Sequence, residues 1–182
     1  VFDLKSKKIS KTLDLPNFLE FSESHIDKNK GLESLAYHVS DDGKKYFLVG
    51  RQSDALVFVY EYEKSALKFK NVFTPPGPQK DLSAMTIWND RLWFLYDKGK
   101  EMTAVQLQEL KSDKKLFMQD PSVGTFTFEM RGLEGITFAN WNDTIWVYVA
   151  IDPPKKFGEN QLRKYSLQSF LTCFGDDQQH LF

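Results

Sequence analysis

Cys173 is the only cysteine in 182 residues, so no internal disulfide can staple the fold and no cysteine-based zinc site can be assembled. A single thiol leaves the redox compartment open. Lying in a short apolar run, it reads as a packed residue before a reactive one. No stretch approaches the roughly 20 consecutive apolar residues that a membrane-spanning helix needs. Neither sign of charge is in excess: 24 Lys and Arg against 25 Asp and Glu leave a formal net charge of −1. That balance argues against a general nucleic-acid or anionic-membrane binder. The three histidines show no pair at metal-ligand spacing, and HExxH, GxSxG, GxGxxG and phosphate-loop motifs are all missing. Proline is scarce and clustered. Pro75-Pro76-Gly77-Pro78 and Asp152-Pro153-Pro154 hold five of the seven, as a protein-binding ridge or as plain braces between strands.

What the chain does have is one segment written three times. Gly31-Leu32-Glu33-Ser34-Leu35-Ala36-Tyr37 returns as Asp81-Leu82-Ser83-Ala84-Met85-Thr86-Ile87 and again as Gly132-Leu133-Glu134-Gly135-Ile136-Thr137-Phe138. The box leucines Leu32, Leu82 and Leu133 are spaced by 50 and 51 residues. A period of about 40–50 residues filled with short strands is the signature of a β-propeller. Aromatic residues make up 15% of the chain, a supply suited to packed sheets rather than to disorder.

Each box predicts an innermost strand A. Asp41-Asp42-Gly43, Asn89-Asp90 and Asn142-Asp143 follow the boxes, and these residues accept the positive φ of tight hairpins. The B strands at 46–49, 92–96 and 145–150 are near-continuous apolar runs, as expected for strands buried on both faces. C strands are expected at 56–62, 102–107 and 162–167, and D strands at 67–73, 115–118 and 170–174. Residues 1–4 and 9–15 read as the C and D strands of a half blade. The domain plan is thus one propeller portion over 1–182. It has a half blade at 1–15, full blades at 32–73, 82–118 and 133–174, and a tail at 175–182.

The expected fold is therefore all-β, a β-propeller portion of about three and a half four-stranded blades in an incomplete ring. Rings close with 4–8 blades, and open terminal faces would expose apolar surface that a monomer rarely tolerates. The remaining blades are expected from a longer or cleaved polypeptide, preceding Val1, with a second chain as the alternative source.

In such a ring strand A lines the channel, and its first residue shares a rim with the end of strand B. The rim residues are Glu33, Ser83 and Glu134 from the boxes, Asp81 ahead of the middle box, and Arg51, Asp97 and Asp152 from the B-strand ends, at offsets of 18, 14 and 18. Several carboxylates at one mouth repel unless something compensates. A hard divalent cation is one solution, since Ca²⁺ accepts 6–8 oxygens. A salt bridge to Arg51 is another, and hydrogen bonding from blade to blade is a third. His25, in the loop from Phe18 to Gly31, is the candidate general base, against the plainer reading of an exposed loop histidine.

The three boxes resemble the strand-A boxes of the SdiA-regulated-domain and esterase-like phytase propellers, which fall within a wider strictosidine-synthase-like, paraoxonase-like and gluconolactonase-like group. The similarity runs from Gly31 to about Leu167. In that group a glutamate at this box position often ligates a central Ca²⁺ or another divalent ion. The resemblance implies such a role for Glu33 and Glu134, with Asp81 or Ser83 in the middle blade. It implies a small ester, lactone or phosphoester as the ligand class. Together with the sequon Asn142-Asp143-Thr144, it implies an extracellular or other extracytoplasmic compartment. Two functions stay open: cation and small-ligand binding at the mouth, with metal-assisted hydrolysis as an extension, and a non-catalytic interaction propeller within a larger assembly.

Overall fold

The computed structural model describes residues 2–3, 7–9, 12–16, 31–78, 80–107, 117–118, 125–153 and 158–168. The strands are β1 (Phe2–Asp3), β2 (Lys8–Ile9), β3 (Leu32–Val39), β4 (Lys45–Arg51), β5 (Val57–Glu63), β6 (Ala66–Phe73) and β7 (Leu82–Trp88). They continue with β8 (Arg91–Tyr96), β9 (Glu101–Leu107), β10 (Phe117–Met118), β11 (Phe126–Thr127), β12 (Leu133–Trp141), β13 (Thr144–Ile151) and β14 (Gln161–Ser166). The architecture is all-β: three antiparallel sheets of three or more strands and one two-stranded sheet, none of them closed, in an incomplete propeller-like arrangement.

Blade one is the up-and-down sheet β3-β4-β5-β6. Blade two runs β7-β8-β9, and its fourth position is shared by two short strands. β10 pairs with the Gln106–Leu107 end of β9 and β11 with the Glu101–Met102 end. The second of these pieces extends blade two to Thr127, beyond the expected boundary at 118. Blade three is β12-β13-β14 among the described residues; its expected D strand at 170–174, together with Cys173, lies outside them. β1 and β2 form a two-stranded sheet where the half blade was expected.

The hairpin chemistry explains the regular order. Asn89-Asp90 has φ of 51° and 55°, and Asn142-Asp143 has 51° and 58°, so both A-to-B turns place two consecutive residues in the left-handed region. That backbone twist matches the twist of the flanking strands, and Asn and Asp tolerate it. Lys64-Ser65 makes the β5–β6 turn with φ of 48° and 68°, without the usual turn residues.

Alternation along the A strands decides how blades stack. At box positions five and seven stand large residues: Leu35 and Tyr37, Met85 and Ile87, Ile136 and Phe138. At positions four and six stand small ones: Ser34 and Ala36, Ala84 and Thr86, Gly135 and Thr137. Successive side chains of a strand point to opposite faces, so each A strand has a large face and a small face. Met85 packs with Ala36, Leu48 and Val57 of blade one, joined by Ile87. Ile136 packs with Ala84, Leu95 and Met102 of blade two, joined by Phe138. The large faces of blades two and three therefore seat on the small face of the blade before each of them. Phe138 also stacks on Trp88 at 4.9 Å between ring centroids. Each fully buried Leu or Phe in these two cores contributes about 1.5–3 kcal/mol.

Candidate functional site

Three β-bulges mark the rim. The pairing slips between Leu32 and Ser34, between Leu82 and Ala84, and between Leu133 and Gly135. The extra residue at each slip is Glu33, Ser83 or Glu134, the box position singled out from sequence. A bulge bends its strand and re-aims a side chain that plain alternation would send to one face.

A continuous series of hydrogen bonds runs along the same rim through all three blades. The Gln52 amide donates to the Gly31 carbonyl at 3.0 Å, and the Asp81 amide to the Gln52 carbonyl at 2.7 Å. The Asp97 amide donates to the Asp81 carbonyl at 3.0 Å, and the Asp152 amide to the Gly132 carbonyl at 2.7 Å. Between blades two and three a side chain replaces the backbone carbonyl. Asp97 Oδ1 accepts from the Gly132 amide at 2.6 Å and from the Leu133 amide at 3.3 Å. Charge-assisted bonds of this type are among the stronger ones. Gly132 is needed there: its φ is +83°, and an added Cβ would run into the carbonyl of Asp152 and the Cα of Pro153.

This register revises one expected equivalence. Leu32, Leu82 and Leu133 pair with Arg51, Tyr96 and Ile151. The residues that bond back to the box are thus Gln52, Asp97 and Asp152, and Arg51 is one position short of them. Arg51 is 1% exposed. Its Nε donates to Asp54 Oδ1 at 3.0 Å, its second guanidinium nitrogen contacts Asp54 Oδ2, and its guanidinium lies 5.2 Å from the Phe58 ring centroid. It is a brace within blade one, paired with Asp54. Gln52 escaped the sequence reading because the turn between β3 and β4 spans five residues where the other two A-to-B turns span two, so the end of its B strand is fixed only by the pairing.

The other rim residues divide by occupation. Ser83 is 2% exposed and donates its hydroxyl to the Leu95 carbonyl at 3.1 Å, so it is turned into the blade. Asp81, also buried, pairs with Lys98 Nζ at 3.1 Å. Glu33, Glu134 and Asp152 are exposed. The Glu134 carboxyl is pushed above its usual range, first by removal from solvent and then by the negative charges of Asp97, Asp152 and Glu33. Acids from three blades therefore share one electrostatic neighbourhood. Among the described residues no group of three or more His, Cys, Asp or Glu is arranged to hold a metal ion. His25 lies outside the described residues.

One alternative left open by the sequence is narrowed. The Pro76 carbonyl accepts from Tyr96 Oη at 2.9 Å and from Thr103 Oγ1 at 2.7 Å, so the Pro75–Pro78 loop is a brace on blade two. Trp88 and Trp93 both pack on Phe138 of blade three, and Trp93 Nε1 donates to the Trp88 carbonyl at 3.2 Å. No helix among the described residues is long and apolar enough to cross a membrane. No protein-family model matches the chain, and no curated protein sequence matches it.

Proposed function

We propose that the rim formed by Glu33, Glu134 and Asp152 binds a divalent cation, Ca²⁺ in the first instance, together with a small ester, lactone or phosphoester. One observation carries the reading: the Glu134 carboxyl is pushed up first by desolvation and then by three neighbouring carboxylates drawn from all three blades, Asp97, Asp152 and Glu33. Like charges brought together at a solvent-facing mouth are relieved by a cation, and carboxylate oxygens are the donors a hard ion prefers. The donor type fits, whereas the donor count does not close a coordination sphere among the described residues. Asp97 is engaged by two amides and Asp81 by Lys98, which leaves Glu33, Glu134 and Asp152 as the protein ligands, direct or through water. A bound ion would polarise a carbonyl or phosphoryl oxygen. The resemblance to SdiA-regulated-domain and esterase-like phytase propellers belongs with this proposal.

Titration of the metal-free chain with Ca²⁺ in a calorimeter tests it. Stoichiometric binding is expected, and a concentration of about 100 times Kd adds about 2.7 kcal/mol to stability. Glu134→Gln weakens the binding. A chelator that leaves Tm unchanged, with no stoichiometric ion on metal analysis, overturns the reading. A second reading, an interaction propeller, is supported by the apolar side chains exposed on β3: Leu35 at 61% and Tyr37 and Val39 at 48% each.

A further inference from the structure

The exposed residues of β3 are the large face of an A strand, the face that seats on a small-faced neighbour at both other blade junctions. Met85 and Ile87 use theirs on blade one, and Ile136 and Phe138 use theirs on blade two. Leu35 and Tyr37 occupy the equivalent positions and lie open, with Val39 beyond them. The outer half of the same sheet is covered differently. Leu15 packs with Leu56, Leu67, Phe69 and Val72 around buried Val49, Phe58 and Tyr60. The open part of blade one is therefore its inner half, the strip of β3, bordered on the outside by the segment 12–16.

The geometry points to a specific partner for that strip: a two-stranded A–B β-hairpin of this same blade type, seated with its small-residue face against Leu35, Tyr37 and Val39. Leu15 already packs on the outer strands of blade one, the surface that the outer strands of a whole blade would need, and a second copy of the chain would present a whole blade, since β14 stands beside β13 in blade three. The partner's chemistry follows from the two junctions already formed. Its A strand alternates small residues on the docking face, as Ser34 and Ala36 do beneath Met85, and as Ala84 does beneath Ile136. Its B strand ends on an acceptor for the Gly31 amide, the part played by the Gln52 carbonyl toward Asp81 and by Asp97 Oδ1 toward Gly132. The inference rests on the blade stacking and is independent of the cation reading.

Of the three hairpins of that description in this chain, residues 132–152 form the one whose small face, Gly135, Thr137 and Ala139, carries no following blade among the described residues. Asp152 stands at the end of its B strand, the position Asp97 holds in blade two. A synthetic peptide of residues 132–152 is therefore the probe. It is titrated into the full chain in the presence of a chelator, with amide exchange of β3 as a second readout. Saturable one-to-one binding with new protection along β3 is expected. Leu35→Glu or Tyr37→Glu in the chain weakens it by about tenfold or more, because a charge replaces a buried contact. Thr137→Trp in the peptide does the same from the other side, which keeps the test valid if a chain variant fails to fold. Absence of saturable binding overturns the inference, as does binding that ignores these substitutions. A dimer of the chain that Leu35→Glu dissociates also overturns it, by making a second copy the occupant. Loss of Ca²⁺ binding alone leaves this result standing, so the two readings fail separately.

Discussion

At the scale of single residues, Asp97 joins two blades with one oxygen. Its Oδ1 accepts the first two amides of the third box, where blade one uses a backbone carbonyl toward blade two. Asp97→Ala leaves those amides without their charged acceptor and is expected to cost about 2 kcal/mol in urea denaturation. Asp97→Asn keeps an acceptor oxygen and should cost less than half as much. Glu134 has the opposite character. Its folded carboxyl holds a proton more tightly than the unfolded one, so the folded state binds more protons over the interval between the two values, and stability falls as pH rises through it. Glu134→Gln removes that loss. Its Tm is expected to exceed the wild-type value at about pH 7 and to match it at about pH 4, where the glutamate is largely neutral in both states. Thermal melts at the two pH values in chelator decide this.

At the scale of elements, the A strand has three separate tasks. Its bulge turns one residue toward the rim, its large face fills the preceding blade, and its small face receives the following one. β7 is packed on both sides, against β3 and against β12, whereas β3 and β12 each have one of those neighbours. β8, in the same blade, is buried at every position. Exchange protection follows buried contacts. Amides of β8 are expected to exchange slowest in the chain and those of β3 faster, with the order read from hydrogen-exchange mass spectrometry. Reversal of that order would mean that something covers β3 in solution.

At the scale of the whole molecule, the three blades are joined by one run of hydrogen bonds from Gly31 to Asp152 and by two apolar cores, one per junction. Among the described strands, those of each blade touch those of its neighbours only, so stability should be close to a sum of blade and junction contributions, as in repeat proteins. A direction is built into this series. Large faces point toward the N-terminal neighbour and small faces toward the C-terminal one, so the two ends of the array differ in chemistry. The β3 end is an apolar strip, whereas on β14 the ammonium of Lys164 lies 3.6 Å from the ring centroid of Trp146.

Sequence alone determined the strand order, the positions of the A-to-B turns and the box residue that lies at the rim, whereas the bulge at that residue was seen only in the structure. All three depend on local chemistry: period-two alternation, the left-handed tolerance of Asn and Asp, and a box repeated at nearly constant spacing. It also picked out Glu33, Glu134, Asp97 and Asp152 as neighbours at one rim. It could not distinguish occupied acids from free ones. Asp81 and Asp97 look like Glu134 in the sequence, yet one is paired with Lys98 and the other bonds two amides of the next blade. It also aligned Arg51 where Gln52 belongs, because the first A-to-B turn is longer than the other two and the register of its B strand is set by the partner strand. Those outcomes depend on contacts between residues far apart in the chain, which only the tertiary structure brings into range.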